Sequence, residues 1–477
     1  MTQHNKGPLA GPALPPLPAW SSSATTRWCH RIGVVSLLLY LFTWVLSLDI
    51  SRSFEPILML VFLVALFVQP GRRRAFNDPL WWLLGLWLLL QAVTLPPAMA
   101  MFPEDADGQI KSMRGLTKVF LILPIAWIMA GSTRIALWAL TALIVGMVTG
   151  SLLTGESPAT LYAYMQSGQR PTLGFKNWQH AGVCAGVILI AQACFAWRFF
   201  QTTACSAAWH RWLLRMAFVL VALWAVTAWA ITMTRAAWLG IAVVIVVALT
   251  GGVIALMRKD SGVDVNRKYL LFGAPAAVLI FIVTGAFFGD QIVSRIFRES
   301  HVIAAILSGE LANVPMSSIG FRIHAWYYAS QLIAEQPWFG WGPQSHIPLL
   351  LQSTHPVEGT TLGAIADTYN LRHFHSSYLT LLVANGFLGA LTYLGVIVAV
   401  GTAAFKSWRR GDMPHDVMAF LTLFFVFWAV VNVFESYIDY RTGIYVIGAV
   451  GGMAYSYGLR RQLIKRAGHA GQADQER

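Results

Sequence analysis

The stretch Ala236–Met257, AAWLGIAVVIVVALTGGVIALM, contains no formally charged residue. A helix of about 20 apolar residues crosses the roughly 30 Å hydrocarbon core of a bilayer, and it satisfies its own backbone hydrogen bonds there. Further charge-free runs occupy Pro79–Pro103, Ile135–Gly155 and Tyr269–Gly289, and hydrophobic residues make up 56% of the chain against 12% charged. The sequence therefore predicts an all-α polytopic membrane protein.

Beyond these runs, the pattern of apolar segments predicts about twelve transmembrane helices and five regions of chain. The regions are a disordered cytoplasmic tail (1–31), helices one to nine (32–288), a long loop (289–376), helices ten to twelve (377–459) and a second tail (460–477). The predicted spans are 32–48, 56–70, 79–97, 117–131, 135–153, 177–197, 213–233, 236–257, 269–288, 377–404, 417–434 and 442–459.

Charged residues are distributed unevenly between the two sides of this arrangement. With a cytoplasmic N-terminus, 22 of the 34 Lys and Arg residues and 7 of the 21 acidic residues fall in cytoplasmic segments, which gives +15 inside and −2 outside. Positive residues accumulate on the cytoplasmic side of membrane proteins. We therefore expect both termini in the cytoplasm and the long loop in the periplasm. The net charge of +13 follows from topology, and no nucleic-acid partner is expected.

The long loop contains the segment 320–343, GFRIHAWYYASQLIAEQPWFGWGP. Its apolar residues recur at helical spacing, which predicts an amphipathic helix lying on the membrane. Pro337 should end this helix, and Gly340 and Gly342 should form the turn that follows. Because so long a segment stays on one face, we expect it to carry out chemistry at the membrane surface. The predicted apolar face consists of Ile323, Trp326, Tyr327 and Ile333, with the small Ser330 between them.

Three basic residues stand at predicted helix starts on the outer face. Lys176, Arg235 and His375 precede the sixth, eighth and tenth predicted spans. The N-terminus of a helix favours anions, and a guanidinium adds bidentate recognition of phosphate. These helix starts therefore predict a phosphate-binding surface. For Arg235 the alternative interpretation is an interfacial arginine that reaches lipid headgroups.

Arg322 and His375 are the candidate functional residues of the loop. Arg322 stands near the start of the surface helix, where a cation opposes the helix dipole, so an anionic ligand would account for it better than a bare surface position. The positive helix end should keep His375 neutral, so that its imidazole can accept a proton from an attacking hydroxyl. Other histidines of the same loop compete for this role: His301, His324, His346, His355 and His373.

The sequence predicts no metal, cofactor or disulfide. None of the four cysteines lies in a predicted periplasmic loop. The segment FPEDADG brings Glu104, Asp105 and Asp107 together, but its spacing lacks the remaining ligands of a defined cation loop, and we interpret it as a solvated loop. The contacts of three cations just after it stay open: Lys111, Arg114 and Lys118.

Three segments carry a family resemblance: TRAAW (234–238), the surface-helix segment ending in PWFGWGP (337–343), and HSSYLTLLVANGFLG (375–389). Over roughly residues 165–400 the chain resembles the O-antigen ligase superfamily of bacterial envelope glycosyltransferases. The resemblance implies a GT-C-like membrane fold with an undecaprenyl diphosphate-linked glycan as donor. It also implies metal-independent transfer of that glycan to lipid A core at the periplasmic face of the inner membrane.

Site residues follow from the same resemblance. The essential arginines of the family fall on Arg235 and Arg322, and its essential histidine falls on His375. The segment RPTLGFKNWQH is similar to the family's segment before the sixth span, which makes Arg170 and Lys176 expected contacts of the donor. The chain departs from the family pattern at three positions that therefore have no implied role: Ser376, Ala384 and Asn385.

Alternatives to a ligase come from the same superfamily and from outside it. The superfamily also contains O-antigen polymerases and protein O-oligosaccharyltransferases. A lipid-linked glycan flippase or transporter is the alternative from another class, but transporters normally place ionisable groups near the bilayer midplane, and here the charges cluster at span ends. The sequence therefore favours a glycosyltransferase embedded among membrane lipids.

Overall fold

The fold is that of a computed structural model, which describes residues 24–68, 77–204, 206–257 and 314–475 together with positions 289, 294, 302 and 305. The helices of the first half are α1 Ala24–Thr43, α2 Leu48–Val68, α3 Pro79–Met101, α4 Ala106–Thr117, α5 Ile122–Met129, α6 Thr133–Thr154, α7 Pro158–Ser167, α8 Trp178–Ala204, α9 Ala208–Ile231 and α10 Arg235–Met257. The elements of the second half are α11 Ser318–Glu335, α12 His346–Leu351, β1 Pro356–Val357, β2 Thr360–Thr361, α13 Leu362–Thr368, α14 Ser377–Arg409, α15 His415–Phe434 and α16 Arg441–Gln475. The strands β1 and β2 pair antiparallel.

Nine helical segments of the described chain are long and apolar enough to cross a membrane. They coincide with predicted spans two to eight, ten and eleven, and they support the all-α polytopic membrane class. Helix α1 overlaps predicted span one only up to Thr43 and begins at Ala24, inside the segment predicted to be a disordered tail. Helix α16 covers predicted span twelve and continues through the second predicted tail to Gln475, and neither helix is among the nine. Predicted span nine, 269–288, lies outside the described residues. The count of about twelve and the GT-C-like class therefore stay predictions.

Two stretches expected to be loops are helical instead. Helix α2 begins at Leu48 rather than at residue 56 and carries Pro56 inside it, which membrane helices tolerate when neighbouring groups satisfy the freed backbone. Helix α4 begins at Ala106, within the acidic segment FPEDADG, and Lys118 just after its end donates to Glu55 of α2 at 2.8 Å. This ion pair accounts for one of the three cations that the sequence left open, while Lys111 and Arg114 are exposed.

The transmembrane core forms around α5 and α16. Helix α5 is buried along its whole length. It approaches α16 closely because a glycine, Gly452, faces it, and a methyl group at that position would overlap Ile125. Small residues serve this purpose between membrane helices, since lipid supplies no hydrophobic drive for association and packing has to supply it. Large aromatic side chains fill the rest of the core, among them Trp44, Trp87 and Trp127.

Residues 314–376 form a small unit with its own hydrophobic core beside the start of α14. Its longest helix, α11, ends at Glu335, ahead of Pro337 as the proline predicts. The buried face of α11 differs from the predicted one, because its small side chains pack closely on the rest of the unit while Tyr327 is exposed. The predicted contact of that exposed face with lipid stays a prediction. The buried face consists of Phe321, Ala325, Ala329 and Leu332.

A break in α14 joins this unit to the membrane helices. Gly386 has φ +59°, a conformation that glycine adopts without strain, and the helical hydrogen bonds stop there. The segment 337–342 supplies partners on both sides of the break, and a Cβ atom on Gly340 would come within 2.5 Å of the Gly386 nitrogen. The four bridging bonds run from Trp341 N to Val383 O (2.8 Å), Gly342 N to Ala384 O (2.8 Å), Phe387 N to Pro337 O (2.7 Å) and Leu388 N to Trp338 O (3.1 Å).

Candidate active site

His375 lies immediately before α14 in a left-handed backbone conformation, φ 51°. Ser376 caps the helix by accepting a backbone N–H bond at 3.4 Å. A left-handed conformation costs a non-glycine residue about 1–3 kcal/mol and persists where the surroundings enforce it. Here Trp326 Nε1 donates to the carbonyl of Phe374 at 2.9 Å, and the ring of Phe321 stands edge-on to the imidazole, with centroids 5.9 Å apart.

The buried carboxylate of Glu435, just after α15, lies against His375. Nδ1 of His375 is 3.1 Å from Oε2 of Glu435, and Nε2 of His373 contacts Oε1. Oε1 also accepts the backbone N–H of Ser436 at 3.0 Å, and Oε2 accepts from the amide of Gln179. An ionised carboxylate offers about four acceptor positions. Glu435 therefore accepts three hydrogen bonds and contacts His373, although its side chain is only 1% exposed.

Backbone and hydroxyl contacts fix the distance between His375 and Glu435. Ser377, in the first turn of α14, donates to Asn432 Oδ1 at 2.5 Å and accepts the backbone N–H of Tyr437 at 2.9 Å. One turn further along α14, a hydroxyl pair at 2.9 Å joins Thr380 to Ser436. The end of α15 is thus tied to the start of α14 on both sides of Glu435. This arrangement positions the carboxylate beside the imidazole without relying on either side chain alone.

The pKa shifts of His375 and Glu435 indicate which of the two side chains carries the shared proton. Burial alone would raise the pKa of Glu435, but the charge and hydrogen bond of His373 and the hydrogen bond of His375 hold it well below its ordinary range. Burial lowers the pKa of His375 to about 4, and His373 adds to the effect. An ionised carboxylate only accepts hydrogen bonds, so neutral His375 carries its proton on Nδ1 and a lone pair on Nε2. The neutral imidazole predicted from the helix end therefore arises mainly from burial.

Arg322 joins the cluster through Gln179. With its amide oriented to satisfy both neighbours, Gln179 donates to Glu435 and accepts from Arg322 Nη2 at 3.2 Å. Nη1 of Arg322 donates to the carbonyl and the hydroxyl of Ser318, at 2.6 and 2.9 Å. The guanidinium is therefore held at the start of α11, two hydrogen bonds away from the carboxylate that contacts His375. The structure brings these two predicted residues together.

Lys176 and Arg170 lie over aromatic rings beside the same cluster. The Lys176 ammonium is 3.2 Å from the ring centroid of Tyr440, and the Arg170 guanidinium is 3.9 Å from that of Trp178. Burial lowers the pKa of Lys176 to about 8, against the opposite influence of Glu435. A cation over a ring is held in place without losing its charge. Both residues are therefore positioned cations, and Lys176 lies within electrostatic reach of the Glu435 carboxylate.

Arg235 opens α10 beside the start of α8. The hydroxyl of Thr234, the residue before it, donates to the carbonyl of Trp178 at 3.2 Å. Trp178 is followed directly by Gln179, which contacts Glu435. Arg235 is half-buried at this junction. The starts of α8, α10, α11 and α14 therefore lie on one side of the molecule. The five predicted site residues stand at or near these helix starts.

A comparison with family models bears on this arrangement directly. Residues 217–394 match the family model described as O-antigen ligase. This part of the chain is similar to the O-antigen ligase family. The predicted resemblance is thereby confirmed over residues 217–394, and Arg235, Arg322 and His375 all lie within the matched range. Arg170 and Lys176 lie before it. A comparison with curated proteins gives no match.

Glu435 lies outside the matched O-antigen ligase domain, and the sequence patterns did not indicate it. A signal for it exists: Glu435 is the first charged residue after the charge-free span 417–434. A carboxylate at the end of a membrane helix needs partners, so the segment FESYIDYR (434–441) does indicate a candidate site. The second acid of this segment, Asp439, has its pKa raised by burial to about 6, with His373 and Lys176 opposing the shift.

Two residues that depart from the family pattern, Ser376 and Asn385, make hydrogen bonds that hold α14. Ser376 is the helix cap described above, with a 3.4 Å bond to the Leu379 N–H. Asn385 is buried at the break in α14 and accepts from Gln91 Nε2 of α3 at 2.7 Å. These two residues therefore hold α14 in place next to the candidate site.

One cluster could hold a metal ion within the described chain. His373, His375 and Glu435 place ligand atoms within 4.8 Å of one another, and two imidazoles with a carboxylate are a set that zinc accepts. The Glu435 oxygens already accept three hydrogen bonds and contact His373, so a cation would have to displace the Nδ1 proton of His375 from the carboxylate. The geometry therefore favours a hydrogen-bonded His–Glu pair. Within the described residues, the three carboxylates of the segment FPEDADG form no such cluster: Glu104, Asp105 and Asp107.

Proposed function

We propose that this protein is a glycosyltransferase that moves O-antigen polysaccharide from undecaprenyl diphosphate to lipid A core. The transfer takes place at the periplasmic face of the inner membrane, with both termini in the cytoplasm, and it is metal-independent and inverting. The O-antigen ligase family domain supports the lipid-linked glycan donor and the lipid acceptor as general classes. The contact between His375 and Glu435 beside Arg322 is the observation that carries the proposal.

His375 acts as the general base. Glu435 accepts a hydrogen bond from Nδ1–H of His375, which leaves the Nε2 lone pair to take the proton from the acceptor hydroxyl. The hydroxyl oxygen forms a bond to the anomeric carbon while the bond from that carbon to the diphosphate oxygen breaks. Because attack comes from the side opposite to the leaving diphosphate, the configuration at the anomeric carbon inverts. Glu435 stays ionised throughout and stabilises the imidazolium that forms.

The cations of the site hold and stabilise the diphosphate. Arg235 and Arg322 bind it through bidentate guanidinium contacts and stabilise the charge that develops as it leaves. Arg170 and Lys176, held over Trp178 and Tyr440, supply further contacts to the same group. A diphosphate among four cations is a better leaving group than one in water, since fixed charges need no reorganisation during the reaction. The proposal therefore assigns chemistry to every predicted site residue.

An in vitro transfer assay tests this function. Purified protein is supplied with a polyprenyl diphosphate-linked glycan and, in separate reactions, with lipid A core or with a second lipid-linked glycan, each in excess chelator. The proposal expects glycosylated lipid A core and no dependence on divalent cations. Elongation of the second lipid-linked glycan instead would identify a polymerase, and transfer that requires added Mg²⁺ or Mn²⁺ would exclude the metal-independent mechanism.

A further inference from the structure

A groove lies between α3, α14 and α16, far from the candidate active site. It encloses about 650 Å³, which is within the range of about 300–1,000 Å³ for small-molecule sites. Lys406, at one end of the groove, stands near the end of the 33-residue helix α14, whose start follows His375. At 1.5 Å per residue, about 45 Å of helix separates them. The groove therefore belongs to the opposite membrane surface.

Small residues make the groove by letting the helices approach at either side of it. A methyl group on Gly395 of α14 would come 2.8 Å from Leu83 of α3, and one on Gly458 of α16 would come 2.8 Å from Ala403 of α14. Between these close approaches the wall is apolar and open towards the bilayer, with Trp82 at its rim 72% exposed. A concave apolar surface open to the bilayer fits acyl chains.

The charged end of the groove carries two cations on one helical face. Lys406 and Arg410 are four residues apart, so their side chains lie one above the other, and both are exposed. No carboxylate lines the groove in the part of the chain that the structure describes. Two acids stand close to the groove. Asp78, at the start of α3, is only 2% exposed and accepts from the hydroxyl of Tyr455 at 2.6 Å. Asp412 is half-buried, and its backbone N–H donates to the carbonyl of Ser407 at 3.0 Å. The positive charge of the groove therefore faces outward.

We propose that this groove binds one anionic phospholipid of the leaflet opposite to the candidate active site. Lys406 and Arg410 bind the lipid phosphate, and the acyl chains lie along Val398, Ala399 and Thr402. Basic pockets between transmembrane helices at the cytoplasmic surface bind anionic headgroups, because each cation adds attraction to the lipid charge. A neutral phospholipid has the same chains without the net negative charge, so charge complementarity selects the anionic lipid.

Native mass spectrometry of the purified full chain tests the proposal, with dioleoyl phosphatidylglycerol and dioleoyl phosphatidylcholine as probes. The unmodified protein should retain one phosphatidylglycerol preferentially. Lys406→Gln with Arg410→Gln should weaken that retention roughly 25-fold, about five-fold for each cation. Arg409→Gln, an exposed neighbour that does not line the groove, is the matched control and should change it little.

A second variant separates the groove from surface charge. Thr402 is an exposed lining residue, so Thr402→Trp fills the groove without disturbing the core and should reduce retention of both lipids. Equal loss from Arg409→Gln and from the double variant would show attraction to general surface charge and overturn the proposal. Retention unaffected by both the double variant and Thr402→Trp would overturn it as well.

Discussion

Nδ1 of His375 lies 3.1 Å from Oε2 of Glu435, and this contact decides which ring nitrogen can act as a base. Glu435 is ionised, so the Nδ1 proton points at it and the Nε2 lone pair is directed elsewhere. A carboxylate that orients a histidine in this way is a recurrent arrangement for proton abstraction from hydroxyl groups. The proposed mechanism depends on this pair more than on any other contact in the site.

Glu435→Gln should lower kcat by about 10²-fold or more with a small change in KM, because an amide can also donate to Nδ1 and no longer fixes the tautomer of the imidazole. A pH profile supplies a second readout. His375 has a pKa near 4, so kcat/KM of the unmodified protein should stay level near neutrality and fall as the pH drops through about 4, where Nε2 becomes protonated. Glu435 raises the pKa of His375, so the variant's acid limb should move to lower pH.

Asp439→Asn is the control for Glu435→Gln. Asp439 shares the segment and the burial but does not contact His375 in the described hydrogen bonds. Asp439→Asn should leave unchanged the pH at which kcat/KM falls on the acid side of the profile. An unchanged limb in Glu435→Gln, or a shift of equal size in Asp439→Asn, would contradict the role of Glu435.

Arg235→Lys and Arg322→Lys should each reduce transfer about 10- to 100-fold although the charge is kept. An ammonium cannot reproduce the two parallel hydrogen bonds of a guanidinium to phosphate oxygens. Arg372→Lys is the matched control, since Arg372 forms an exposed ion pair with Asp367 at 3.3 Å and such pairs contribute little. Rates measured at saturating donor would check this, and full activity of either lysine variant would remove that arginine from the mechanism.

Gly386→Ala should destabilise the protein by about 1–3 kcal/mol, because alanine at φ +59° is strained and its methyl group would overlap the Trp338 carbonyl. Gly401→Ala, in the same helix, has open space around the added methyl group and should stabilise by about 0.5–1 kcal/mol. Thermal unfolding in detergent compares the two. Equal melting temperatures would show that the break in α14 is not held by segment 337–342.

The sequence predicts the helices better than it predicts the site. Charge-free runs such as 236–257 fix helix positions because the bilayer demands length and internal hydrogen bonding. Glu435 and Gln179 have no such pattern: each becomes a site residue only because α8, α14 and α15 meet at their ends. The buried face of α11 could likewise not be predicted from the sequence. Periodicity alone does not distinguish a face that contacts lipid from one that contacts a second hydrophobic core.

Reporter fusions test the topology on which the periplasmic site depends. Fusions near residues 73, 259 and 410 should report cytoplasm, and fusions near Glu156 and Val357 should report periplasm, because the Lys and Arg distribution gives one consistent orientation. The fusion at Val357 is the decisive one, since it lies in the unit that carries Arg322 and His375. A cytoplasmic signal there would place the site on the wrong side for the proposed reaction.

The rate of glycan transfer by His375→Ala tests the central claim most directly. The account predicts a loss of about 10² to 10⁴-fold with donor binding retained, because the base is removed while the diphosphate contacts stay. His373→Ala should cost less, about tenfold, because it removes one of the four polar contacts of Glu435 and leaves Nε2 of His375 in place as the base. Near-normal transfer by His375→Ala, or a greater loss from His373→Ala, would contradict the assignment of His375 as the base.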